Sequence, residues 1–322
     1  MTARSPVAAP NSFPHPSSLN PQRFLPVLRR LRQLLELIRF SHTLFALPFA
    51  LLSAAMAWAA NWRSEPPVGF RWLDLAGILI CMVCARSAAM AFNRLADRRL
   101  DAVNPRTLSR HLPRGELSVG SVAAFTAVCG LGFVAGTLLF LPAGNWVPLA
   151  ASVPVLLFLF GYSFAKRFTL LAHFWLGAAL LLAPVAAWVA IRPEATAAPL
   201  LLGAAVLLWV AGFDVIYACL DVEFDRRMRL HSIPARLGVG AALKVAAACH
   251  FGMVGLLLCI PLVYDGFGPV YVTGVLGIAA LLVYEHTLVR PDDLTRVNRA
   301  FFHVNAVVSL GLLVIGVADL VL

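Results

Sequence analysis

The chain has 322 residues, 60% of them hydrophobic and 13% charged, with a mean hydropathy of +0.82. Soluble domains hold roughly 45–50% apolar and about 25% charged residues, so a soluble globular fold is excluded. The net charge of +10 arises from 26 Lys and Arg against 16 Asp and Glu. Its arginines are spread between apolar segments instead of covering one polar domain, which fits membrane topology and argues against a nucleic-acid partner.

Residues 1–22 are rich in Pro, Ser and Ala without periodicity and are expected to form a disordered tail. They contain no apolar core followed by a cleavage site, so a secretory signal is not expected; their basic, acid-poor character leaves an organelle transit peptide open. Residues 23–40 place Leu25, Leu28, Leu31, Leu35 and Ile38 among Arg29, Arg30, Arg32 and Arg39. That pattern predicts an amphipathic basic helix suited to an anionic lipid surface.

Residues 41–322 read as one transmembrane domain. Nine spans are predicted, at about 42–60, 75–96, 118–140, 146–165, 169–190, 198–221, 241–263, 269–289 and 300–321, each with the continuous apolar character that a bilayer-crossing helix needs. The fold class is therefore all-α, a nine-helix transmembrane bundle; the runs show no β-barrel alternation. Twenty-one of the 26 Lys and Arg fall in the N-terminal segment and in alternate loops, against Arg63, Arg71 and Arg192 on the other face. The N-terminus is thus expected in the cytoplasm and Leu322 on the far side. The six cysteines lie in or beside apolar runs and form no disulfide framework. Gly132-x-x-x-Gly136 is a small-residue motif that serves either packing within the bundle or dimerisation.

Carboxylates at membrane helices cost roughly 2.5–3.5 kcal/mol each at the bilayer centre, so clusters of them need a reason. The second span ends in Asn93-Arg-Leu-Ala-Asp97-Arg-Arg-Leu-Asp101 and the sixth in Tyr217-Ala-Cys-Leu-Asp221-Val-Glu-Phe-Asp225. Spacings of four set each trio on one helix face. Adding 124 to 93, 97 and 101 gives 217, 221 and 225, so the chain reads as two related halves whose motifs share one central cavity opening to the cytoplasmic side. Carboxylates converging there repel one another unless a cation joins them, and oxygen ligands of this kind select Mg²⁺ shared with substrate phosphates. A magnesium-bound diphosphate follows as the guest. Arg106, Arg110, Tyr162, Lys166 and Arg236 lie beside the motifs as candidate diphosphate ligands. Glu223 falls on the opposite side of its helix from Asp221.

These motifs resemble the UbiA superfamily of intramembrane aromatic prenyltransferases. The resemblance covers about residues 36–322 and rests on both trios, on Arg86 seven residues before Asn93, on the Tyr162-Ser-Phe-Ala-Lys-Arg-Phe-Thr169 segment and on Phe40-Ser-His-Thr-Leu-Phe-Ala-Leu-Pro48. Ala218-Cys-Leu-Asp-Val-Glu-Phe-Asp-Arg-Arg227 and His231-Ser-Ile-Pro-Ala-Arg236 look most like the bacterial 4-hydroxybenzoate polyprenyltransferase-like branch, which includes members assigned to menaquinone synthesis. One departure stands out: the family's usual Asn-Asp start is Asn93-Arg94 here.

The resemblance implies a Mg²⁺-dependent enzyme of the bacterial inner membrane that transfers a polyprenyl group from an allylic diphosphate to an aromatic acid in quinone biosynthesis. Asn93, Asp97, Asp101, Asp221 and Asp225 would hold metal, and Asp97, Asp221 and Arg86 would act directly on the reaction. Arg86 either orients the acceptor's carboxylate or serves as a buried partner for Asp214 or Asp221. A dihydroxynaphthoate is the alternative acceptor, and a cation-coupled transporter the alternative class.

Overall fold

The computed structural model describes residues 33, 34, 36, 37, 46–194, 197–297 and 303–322. The predicted tail over 1–22 and most of the predicted amphipathic helix over 23–40 lie outside the described residues. Of the latter, Gln33, Leu34, Glu36 and Leu37 are helical, and Leu37 is buried against Ala91, Leu117 and Val122.

Among the described residues nine apolar helices follow one another: α1 Leu47–Trp62, α2 Trp72–Ala96, α3 Val119–Thr137, α4 Val147–Ala165, α5 Ala172–Ile191, α6 Ala197–Ala218, α7 Val239–Cys259, α8 Pro269–Leu288 and α9 Asn305–Val321. Seven of them, α2 to α8, are long and apolar enough to cross a membrane; α1 and α9 are shorter, and each borders residues outside the described set. No strand occurs among the described residues beyond an isolated bridge between Arg290 and Asp293. Helix α3 runs on as a 3₁₀ turn over Leu138–Ala143.

Large apolar side chains such as Val128, Leu131, Leu157, Phe251, Val283 and Val314 are exposed on the outside of the bundle, the surface that faces lipid. Helix association there gains little from hydrophobicity, since lipid is as apolar as leucine, and depends on close packing. Helix α6 is the most enclosed of the seven long helices. It packs on α5 and α7, while α1 joins α5 to α9, and α2, α3 and α4 form a second group closing on α5. Phe49 packs on Trp209 at a tilt and Phe213 packs on it edge-to-face, at ring-centroid distances of 5.0 and 4.9 Å, in the core around α6. Gly132 and Gly136 meet Cys84 and Cys81 of α2, so this motif packs α3 inside the bundle.

Both acidic trios depart from the expected single helix face. Helix α2 stops at Ala96, and a short helix over Arg98–Asp101 follows; α6 stops at Ala218, with a 3₁₀ turn over Cys219–Asp221 and a short helix over Val222–Arg227 after it. The central aspartate of each trio sits in the break.

Candidate active site

The C-terminal ends of α2, α4 and α6 lie at one end of the bundle and enclose a cavity of ≈ 640 Å³. Asn93, Asp97 and Asp101 line it from the first trio, and Tyr217, Asp221 and Asp225 from the second. Tyr162 and Lys166 contribute from the end of α4, and Arg106 and Arg110 from the loop after the first trio. The cavity continues toward the other end of the helices between apolar walls, including Ala179, Ala183, Ala186 and Ala190 of α5, and reaches Ile78, Phe140 and Val147. From Asn93 to Ile78 along α2 is roughly 22 Å at the helical rise.

Opposite charges are paired tightly. Arg106 donates to Asp221 through Nε at 2.8 Å and through Nη2, while its guanidinium carbon lies 4.7 Å from the Tyr217 ring centre. Arg110 Nη1 donates to both oxygens of Asp101 at 2.7 Å. Arg167 Nη2 donates to Asp97 Oδ1 at 3.0 Å and to the Ala96 carbonyl at 2.7 Å, so it also caps the C-terminus of α2. Asn93 Nδ2 donates to Asp97 Oδ2 at 3.1 Å and Asn104 Nδ2 to Asp221 Oδ1 at 3.5 Å. Burial pushes the Asp97 carboxyl above the usual carboxylate range, against the opposing hydrogen bond and charge of Arg167.

Asp225 is 2% exposed, and its Oδ2 has no hydrogen-bond partner. A buried orphan carboxylate oxygen four residues from Asp221, in a site of oxygen donors, fits a hard divalent cation. Among the described residues no three His, Cys, Asp or Glu side chains converge into a ready-made cage.

Deeper in the same cavity, Arg86 Nε is buried without a hydrogen-bond partner. Of its two expected acidic partners, Asp221 pairs with Arg106, and Asp214 with His173 Nδ1 at 2.6 Å. Arg236 does not join the site: it is exposed in the short helix Ile233–Leu237 and is absent from the cavity lining. Glu223 also stays outside, exposed and 3.4 Å from Arg226. Three participants escape a reading of the sequence: Arg167 and Asn104, which hold central aspartates, and His173, which takes Asp214 as its partner. The ion pair of Arg167 with Asp97 spans 70 residues and the bond of Asn104 to Asp221 spans 117, so no local spacing announces them.

The profile of the UbiA prenyltransferase family matches residues 46–307. A protein of Xanthomonas oryzae pv. oryzae named 4-hydroxybenzoate octaprenyltransferase is 32% identical over 281 residues, covering 86% of this chain and 89% of its own length. One of the same name from Aromatoleum aromaticum is 30% identical over 227 residues, 69% of this chain and 74% of its own. The structure of a UbiA homologue from Aeropyrum pernix K1 superposes with a TM-score of 0.70 at 29% identity, covering 87% of this chain and 97% of that one. A UbiA homologue from Archaeoglobus fulgidus bound to GPP and Mg²⁺ shares the fold, with a TM-score of 0.63 at 19% identity over 90% of this chain and all of that one. With the profile covering most of its length and both acidic trios gathered on one intramembrane cavity, this chain belongs to the UbiA prenyltransferase family.

Proposed function

We propose that the chain transfers a polyprenyl group from an allylic prenyl diphosphate to a ring carbon of a small hydroxylated aromatic acid of the 4-hydroxybenzoate type, a step of quinone biosynthesis that releases diphosphate. The observation that carries this reading is one cavity holding two carboxylate clusters, the cations Arg106, Arg110 and Lys166, and a deeper Arg86 with an unpartnered Nε. The names of the curated relatives and the GPP and Mg²⁺ bound by the Archaeoglobus protein support it.

Asn93, Asp97, Asp101, Asp221 and Asp225 would hold Mg²⁺, which when bound neutralises charge on the leaving diphosphate. Arg106, Arg110 and Lys166 offer donors to the phosphate oxygens, with Tyr162 one helical turn before Lys166. The alanine and valine walls carry the prenyl chain and keep water from the allylic cation formed when the C–O bond breaks. Arg86 binds the acceptor's carboxylate about 10 Å below Asn93, at the helical rise over seven residues, and so holds the ring beneath the diphosphate. The carboxylates of the two trios gather at one end of the cavity and not at its middle, which speaks against a cation-coupled transporter. We assign the acidic end to the cytoplasmic face of the bacterial inner membrane, with the N-terminus on that side, from the bias of 21 of 26 basic residues.

The test is incubation of the purified protein with Mg²⁺, a labelled prenyl diphosphate and a panel of aromatic acids including 4-hydroxybenzoate and a dihydroxynaphthoate. Labelled prenyl-4-hydroxybenzoate is expected. Transfer to the naphthoate alone moves the acceptor to the menaquinone route, and transfer to no acid overturns the reading.

A further inference from the structure

Asp214 lines the cavity from α6, seven residues and therefore about 10 Å deeper than Asp221. Arg86 lies seven residues deeper than Asn93 on α2, and in the 124-residue register Asp214 matches Met90, so Asp214 stands on the facing half of the same cavity about one helical turn nearer the trios than Arg86. Asp214 is not left to find its own orientation. His173 of α5 is fully buried, and its Nε2 accepts the backbone N–H of Ile233 at 3.4 Å. A neutral ring that accepts at Nε2 carries its proton on Nδ1, so His173 donates to Asp214 Oδ2 at 2.6 Å. No hydrogen bond among the described residues engages Asp214 Oδ1. Tyr162 and Lys166 of α4 and Arg106 of the polar loop also act on this carboxylate electrostatically.

From this we infer that Asp214 is the general base for the acceptor's hydroxyl and that His173 is its positioning residue. The inference rests on the proposed reaction and extends it. A benzoate with its carboxylate on Arg86 and its ring directed toward the trios presents its para substituent about one helical turn nearer the trios, the level of Asp214. As the ring carbon ortho to the hydroxyl forms its bond to the allylic carbon, the O–H electron pair moves into the ring and the proton passes to Asp214. The product of that step is a neutral ring ketone. Its tetrahedral carbon then loses its hydrogen as a proton to the departed diphosphate, the ring regains aromaticity, and the oxygen takes its proton back from Asp214. One C–O bond breaks, one C–C bond forms, and one proton leaves with diphosphate. The arrangement also accounts for a para-hydroxy acid over a meta one.

The test compares wild type and Asp214→Asn on 4-hydroxybenzoate across pH, with binding of the prenyl diphosphate measured separately. Loss of a general base costs about 10²–10⁴-fold. The variant is expected to lose about 10²-fold in kcat near neutral pH, with diphosphate binding kept, and to recover as pH approaches the phenol's own ionisation near 10. A deficit that stays constant with pH, or no deficit, overturns the assignment. Should Asp214→Asn fail to fold, His173→Gln is expected to lower kcat with KM for the acid unchanged and to show the same recovery at high pH; a pH-independent loss overturns the pair. Wild-type protein inert toward every aromatic acid overturns the reaction itself, which separates that failure from the failure of the base.

Discussion

Asp97 and Asp221, 124 residues apart, carry nearly the same backbone geometry, φ −93° and ψ 4° against φ −106° and ψ 5°. Each stands where a long helix ends and a short one begins. Had either long helix continued straight, the third residue of its trio would lie about 6 Å beyond the central aspartate along the helix axis. The break keeps Asp101 and Asp225 buried on the cavity. Asp97→Asn and Asp221→Asn are therefore each expected to lower kcat by about 10²-fold or more, the scale of losing one preorganised charge at a reacting group. Exposed Glu223, as Glu223→Gln, is expected to change it less than threefold. Steady-state rates against Mg²⁺ concentration check this, and equal rates in the three variants would refute the metal assignment.

Arg86 and Lys166 lie on one cavity at different depths, so their loss should separate the two substrates. Arg86→Ala removes a charged donor from the acid's carboxylate, a contact of about 1.5–3 kcal/mol, or roughly 10–100-fold in KM for the aromatic acid. Prenyl diphosphate affinity should stay within twofold. Lys166→Ala should do the reverse. Isothermal titration with a non-hydrolysable prenyl diphosphate analogue, beside acceptor kinetics, reads both effects. If the two variants behave alike, the two subsites are not separate.

The 124-residue register, the apolar runs and the oxygen-rich motifs were open to inspection because each is a local or periodic pattern, and the cavity gathers nearly all of the residues they point to. The helix breaks at Asp97 and Asp221 were not, since a spacing of four reads the same whether the helix continues or stops. In the sequence Arg167 is one of the 21 basic residues that mark topology, and only the fold sets it on Asp97 and the Ala96 carbonyl. His173 has no partner at metal-ligand spacing in the sequence, and its role depends on Asp214 and Ile233, brought to it from 41 and 60 residues away.

Arg236 is the one cation of the expected set that the fold leaves outside. It occupies the last turn of Ile233–Leu237, exposed, just before Gly238 turns the chain with φ 82° into α7. A surface substitution of this kind shifts free energies by about 0.5 kcal/mol or less. Arg236→Ala should therefore keep the KM for prenyl diphosphate within about twofold to threefold, whereas Arg110→Ala, which frees Asp101 and removes a phosphate donor, should raise it by tenfold or more. A larger effect at Arg236 than at Arg110 would place the diphosphate nearer the 231–236 loop than the cavity allows.

The position of the whole site depends on how closely α5 approaches α6, because α5 brings His173 and the alanine wall while α6 brings Asp214 and leads into the turn that holds Asp221. Gly177 of α5 sets that approach: a Cβ there would collide with the Leu207 carbonyl oxygen of α6 and lie 3.2 Å from the Leu207 Cα. Backbone cannot rotate out of the way as a side chain does, so Gly177→Ala must push the helices apart. Overpacking costs about 1–3 kcal/mol, and contact with backbone belongs at the upper end. Gly255 of α7 supplies the contrast, since a Cβ there meets nothing within 4 Å. Gly255→Ala is expected to be neutral or stabilising by up to about 1 kcal/mol through helix propensity alone. Thermal unfolding in one detergent should therefore give opposite signs, with Tm lowered in Gly177→Ala and unchanged or raised in Gly255→Ala. Prenyl transfer should fall in Gly177→Ala even well below its Tm, because the separation of α5 from α6 moves His173 off Asp214. Equal Tm and full activity in both variants would mean that the α5–α6 contact is looser than the structure has it.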